Sequence, residues 1–206
     1  MRSNKTCPTA PPGSTASTRP STGGSSNAGS TSNCSEEQPI DDVFETDRFV
    51  FFWKGWPSQW SKSTFRVHGV TYNCCEQFMM AEKARLFHDD VRLDQILRSK
   101  SPREQKALGR QVADFDEAVW NRVCRDIVYR GNLARFTQDE RLAARLRATG
   151  DKTIVEASPK DFIWGIGLSA DDPAAQDPSQ WPGANWLGIA LMQVRQAIRD
   201  LPSGRQ

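Results

Sequence analysis

Glu76-Gln77-Phe78-Met79-Met80-Ala81-Glu82-Lys83 puts a lysine in the middle of an apolar helical stripe. On a helix, the side chains that touch Lys83 on its own face stand three and four residues away. Those positions are Met79, Met80, Leu86 and Phe87, all apolar. Glu76 falls on nearly the same face, roughly 10 Å down the axis at 1.5 Å per residue. Desolvation against hydrocarbon disfavours the ammonium and moves a lysine toward its neutral, nucleophilic form. Proteins ready an amine to attack a carbonyl in this way. The alternative is a snorkelling lysine, its stem lying on Phe87 and its charge in water.

Working outward, that helix runs from about Cys75 to His88, and a second from about Val91 to Arg98. Ser101-Pro102-Arg103-Glu104 is a capping box with proline at the first helical position, opening a third. Asp116 caps a long fourth helix with Trp120, Val123, Ile127 and Val128 on one side. Thr137-Gln138-Asp139-Glu140 reads as another capping box, and Gly150 closes the fifth helix. A last helix from about Asn185 to Arg199 turns Leu187, Leu191, Val194 and Ile198 inward, with Asn185 as its N-cap. Strand signals are fewer. Arg48 to Trp53 is a continuous apolar run, Phe65-Arg66-Val67 and Val70-Thr71-Tyr72 flank a His68-Gly69 turn, and Thr153 to Glu156 is short and β-branched. The expected fold is mainly α with a small β element, in one compact domain over residues 43–202.

Residues 1–42 are rich in Ser, Thr, Gly and Pro, with no acid before Glu36. Such a segment cannot bury enough surface to offset its ordering entropy, so it is expected to be a disordered tail. Its basic, Ser-rich makeup is also compatible with an organelle-targeting peptide. Neither a signal-peptide core nor a membrane-length apolar run is visible, so an intracellular, soluble protein is expected. The net charge of +2 neither requires nor excludes a nucleic-acid partner. Five cysteines, with no zinc-type spacing, indicate neither a disulfide framework nor a metal site.

The seven tryptophans are the compositional outlier. Most are expected in the core, and a few could stack on a flat heteroaromatic ring. Asp161-Phe162-Ile163-Trp164-Gly165-Ile166-Gly167-Leu168 joins an acid, an indole and two glycines that would let backbone amides approach a phosphate or ribose. Trp181-Pro182-Gly183-Ala184-Asn185-Trp186-Leu187-Gly188 leads into the last helix, whose N-terminus is a natural anion site. A seryl or cysteinyl hydrolase is unsupported, because only His68 and His88 could act as base and His68 sits in a turn.

Taken in order, these pieces resemble the NADAR, or YbiA-like, family. The resemblance rests on Glu76-x-Phe78-x-x-x-x-Lys83, Trp120, Thr149-Gly150-Asp151, Glu156-Ala157-Ser158, Asp161-x-x-Trp164-Gly165-x-Gly167 and Gly183-x-Asn185-x-Leu187-Gly188, followed by Leu191-Met192-x-Val194-Arg195. It spans about Arg48 to Leu201. Where bacterial members carry a Leu-Ser-Asn-Phe type segment, this chain has Phe52-Trp53-Lys54-Gly55-Trp56-Pro57-Ser58-Gln59-Trp60, which adds tryptophans at a place suited to stacking on a base.

The resemblance implies cleavage of N-glycosidic bonds between ribose and a nitrogen base, without metal or redox cofactor. Its two substrate classes are ADP-ribose on guanine in DNA or RNA, and phosphorylated ribosylamino intermediates of riboflavin synthesis. It implies Lys83 as Schiff-base former and Glu76 as the carboxylate beside the sugar. Trp120, Asp161, Trp164, Gly165, Gly167 and Asn185 are implied as substrate contacts. A non-catalytic ADP-ribose or nucleotide reader is the competing class, disfavoured by Glu76 and Lys83 occurring together.

Overall fold

The computed structural model describes residues 42–201. The expected tail, Asp42 excepted, therefore lies outside the described residues. Val43–Glu45 (β1) pairs antiparallel with Phe49–Phe52 (β2), and β1 is a strand that the apolar pattern does not announce. β2 is apolar throughout and buried on both faces. Alternation sends Phe49 and Phe51 to one side, against Val155, Ala157 and Ile166. Val50 and Phe52 face the other side, in the main helical core.

Phe65–Val67 (β3) and Val70–Tyr72 (β4) form the expected hairpin, separate from that sheet. Its turn residues His68 and Gly69 both have positive φ, +47° and +82°, as a type I′ turn requires. Phe65 and Tyr72 stack at 5.7 Å and carry Phe78 of the first helix.

Five helices follow: Cys75–Leu86 (α1), Asp90–Arg98 (α2), Pro102–Gly109 (α3), Glu117–Gln138 (α4) and Glu140–Ala148 (α5). Thr153–Glu156 (β5) then returns parallel to β2, pairing Phe52 with Glu156. Trp186–Asp200 (α6) packs on β5 and α4. Between β5 and α6 the chain makes short 3-10 turns at Pro173–Gln176 and Pro178–Gln180. The chain is thus mainly helical with a small sheet, as expected.

The caps are partly as read. The Asp116 carboxylate accepts from Val119 N–H at 2.9 Å, and Gly150, φ +58°, ends α5. Ser101 accepts from Glu104 N–H at 3.5 Å, but the Glu104 side chain takes the Ser99 hydroxyl instead of closing the box. The Thr137 box does not form. Thr137 lies inside α4, where its hydroxyl donates to Leu133 O, and α5 is capped by Asp139, which accepts from Arg141 and Leu142 N–H. Helix α1 stops at Leu86, and His88 turns the chain with φ +56°. Asn185 departs most. It stands at the N-cap position in the left-handed region, φ +51°, and makes no side-chain cap bond.

Candidate active site

Helix α1 delivers Glu76, Met79, Met80 and Lys83 to one wall of a cavity of about 180 Å³. The other walls come from Ser58 to Trp60, Lys106 of α3 and Arg110 at its C-cap, Trp120 of α4, Glu156 at the end of β5, Asp161 and Trp164 beyond it, and Leu187 of α6. Two roomier grooves, about 560 and 540 Å³, lie on the α4–α6 face and beside the hairpin. Neither joins an amine to buried carboxyls, so chemistry selects the smaller cavity.

Met79 and Met80 are buried under Lys83, as the stripe demands, while Leu86 and Phe87 are only partly covered. The amine itself meets aromatic rings. Lys83 Nζ lies 3.8 Å from the Phe115 centroid and 5.7 Å from that of Trp120. Burial holds its pKa below the usual lysine value, and the Arg110 guanidinium adds to the effect. Ring quadrupoles pull the other way by favouring the ammonium. Phe115 is 44% exposed, so its attraction is worth only about 0.5–1 kcal/mol, less than one pKa unit.

Glu76 is 5% exposed, with Oε1 buried and unpartnered and Oε2 accepting from Trp60 Nε1 at 3.2 Å. Burial pushes its pKa up to about 7, opposed by Lys106 and the Trp60 hydrogen bond. The segment carrying Trp60 is held from below. Arg135 of α4, fully buried, donates to the carbonyls of Trp56 and Ser58 at 2.6 and 3.1 Å. Asn132 Nδ2 reaches Gln59 Oε1, and Gln59 N–H···S contact with Met79 ties the same segment to α1.

Asp161 and Trp164 reach the cavity, but Gly165, Gly167 and Asn185 do not line it. Asp161 Oδ1 accepts from Ile163 and Trp164 N–H at 3.0 and 2.8 Å, fixing the turn that presents the indole. Gly165 serves a close packing of chain on chain, since a Cβ there would stand 2.8 Å from Glu156 O. Asn185 is 3% exposed and clasps β5. Its Oδ1 accepts from Glu156 N–H at 3.0 Å and its Nδ2 donates to Ile154 O at 2.9 Å. Both amide atoms thus engage the backbone of β5.

Several cavity residues carry no motif. Lys106 and Arg110 stand four apart, in the last turn and at the C-cap of a helix legible only by its N-cap. Phe115 lies in a connecting segment and joins the site only through folding. Glu156 did leave a signal, an acid closing a buried apolar strand. Among the described residues no His, Cys, Asp and Glu group could hold a metal, and no helix is long and apolar enough to cross a membrane.

Trp120 and Trp164 are expected to behave differently on truncation. Trp120 is 9% exposed within the main core, so Trp120→Ala should cost about 3–5 kcal/mol of stability. Trp164 is half-buried and packs edge-on against Trp186 at 5.7 Å. Trp164→Ala should keep the fold and weaken substrate binding by about 1–3 kcal/mol. Urea melts and ligand titration separate the two, and an unfolded Trp164→Ala would make that ring a core residue.

Residues 51–199 match the NADAR domain, and the chain belongs to the NADAR family. An N-glycosidase of Acanthamoeba polyphaga mimivirus is 41% identical, over 74% of this chain and 97% of its own length. A chloroplastic riboflavin biosynthesis protein of Zea mays is 28% identical, over 75% of this chain but 26% of its own. The NMR structure of Escherichia coli YbiA superposes with a TM-score of 0.63 at 26% identity, covering 82% of this chain and 96% of that one. N-glycosidases thus recur within this family.

Proposed function

We propose that this NADAR-family chain hydrolyses the bond between an ADP-ribosyl group and guanine in nucleic acid. The observation that carries the reading is a desolvated amine and a buried carboxyl sharing a cavity walled by indoles. Breaking a ribosyl–nitrogen bond builds positive charge on the sugar, which ionised Glu76 stabilises. Lys83 captures the anomeric carbon, giving an imine after ring opening, and water releases the sugar. Trp120 and Trp164 offer flat faces to a heteroaromatic ring. Lys106 and Arg110 are cations on the same wall, suited to a diphosphate that extends from the ribose. Exposed Trp53, and the exposed part of Trp60 at the cavity wall, supply stacking surface for unpaired bases.

The second reading is the same chemistry on phosphorylated ribosylamino intermediates of riboflavin synthesis, favoured by the maize relative. The deciding experiment incubates the purified protein with single-stranded DNA bearing guanine-linked ADP-ribose, and in parallel with a ribosylaminopyrimidine phosphate. Release of free ADP-ribose from the first is expected. Turnover of the second alone would favour the riboflavin reading, and binding without turnover of either would favour a reader.

A further inference from the structure

We infer that Glu156 is a second catalytic carboxyl of this cavity, giving a proton to the departing base nitrogen and later taking one from the attacking water. The inference rests on the glycosidase reading above and adds the proton carrier which that reading lacks. Glu156 ends β5 beside Phe52 of β2, and its side chain turns into the cavity that holds Glu76 and Lys83. Its Oε2 has neither solvent nor a hydrogen-bond partner. A buried carboxyl oxygen without a partner costs stability, so packing does not account for it. The backbone beneath is fixed on both sides. Glu156 N–H donates to Asn185 Oδ1, and its carbonyl accepts from Ile166 N–H at 2.9 Å. Asn185 is therefore a positioning residue for this carboxyl.

The charged groups around Glu156 divide the labour between the two glutamates. Asp161 from the following loop and Glu76 from α1 oppose its ionisation, and Lys106 from α3 favours it. Lys83 and Arg110 line the same cavity. Burial is the dominant influence and pushes its pKa up to about 8, as it also raises that of Glu76. The Trp60 indole donates to Glu76 and favours its carboxylate, whereas Glu156 Oε2 has no such donor, so Glu156 is the carboxyl suited to hold the proton. Two carboxyls held apart in this way serve as acid and as charge stabiliser.

The steps balance. Lys83 forms a bond to the anomeric carbon, and the carbon–nitrogen bond breaks with its electron pair on the base nitrogen, which takes the Glu156 proton. The protonated ribosyl–lysine adduct opens its ring to the iminium. Water adds to that carbon and loses a proton to the Glu156 carboxylate. The carbinolamine collapses, its hydroxyl proton passing to nitrogen, and returns Lys83 as the free amine.

The test compares wild type, Glu156→Gln and Glu156→Asp on guanine-linked ADP-ribose and on ADP-ribose bearing a para-nitrophenolate leaving group, which departs unprotonated. On the guanine substrate, Glu156→Gln is expected to lower kcat on the order of 100-fold or more with little change in KM. On the nitrophenyl substrate it should release one equivalent of nitrophenolate in a burst and then stall, because the adduct lacks a base for water. Glu156→Asp should recover part of kcat on both. Normal turnover by Glu156→Gln, or equal loss on both substrates without a burst, overturns the proposal. Wild type inert to both substrates would instead sink the glycosidase reading and this inference with it.

Discussion

Borohydride added during turnover is expected to leave the ribosyl product covalently attached to Lys83, detectable by peptide mass spectrometry. The reason lies in the surroundings of Nζ. The amine rests on Phe115 and Trp120 with Met79 and Met80 beneath, and burial together with Arg110 lowers its pKa. Such an environment raises the neutral fraction at pH 7 without requiring it to dominate, because capture drains the neutral form as it reacts. Lys83→Ala should fold, bind ligand and lose activity on the order of 10³-fold or more, as removal of a nucleophile does. Lys83→Arg should fail as completely, since a guanidinium keeps its proton. Normal turnover by Lys83→Arg would reduce the residue to a positive charge. A dead Lys83→Ala with no trapped adduct in wild type would make Lys83 a substrate-positioning group and exclude the covalent route.

The apolar face of α1 carried its own interpretation, because helical period alone brings Met79 and Met80 under Lys83. Side chains from elsewhere completed the site, and there periodicity fell silent. Phe115 meets the amine across a loop, and Lys106 and Arg110 arrive from the last turn and C-cap of α3, whose sequence reports its N-cap and not its facing. Asn185 shows the limit of local rules most clearly. Asn before an apolar run satisfies every N-cap preference, yet the residue adopts φ +51° and spends its amide on β5. Asparagine tolerates the left-handed region, and two buried backbone groups of a strand offer better partners than a helix end. Strand β1 escaped notice for a similar reason, since three partly exposed residues carry no period. Arg135 carries no signal in the sequence, and only tertiary structure reveals it beneath the Trp56 to Trp60 segment.

Glu76→Gln is expected to separate catalysis from stability, and in opposite directions. Glutamine retains the size of the side chain and an oxygen for Trp60 Nε1, but it can bear no charge opposite a cationic sugar. Activity should fall about 100-fold or more, the scale of electrostatic stabilisation of a transition state. Stability should rise, by an amount that grows as pH climbs above about 4.5 and levels off above about 7. Burial lifts the Glu76 pKa from 4.5 to about 7 in the folded protein. The unfolded chain then gives up this proton first, so wild type loses stability as pH climbs from about 4.5 through about 7. Glutamine has no proton to lose. At about 1.4 kcal/mol per pKa unit, the variant should gain on the order of 3 kcal/mol over wild type at pH 8 and next to nothing near pH 4.5. Paired urea melts at the two pH values read this difference directly. A variant no more stable at pH 8 would mean that Glu76 is already ionised and paired near pH 5, and near-normal turnover would remove it from the mechanism.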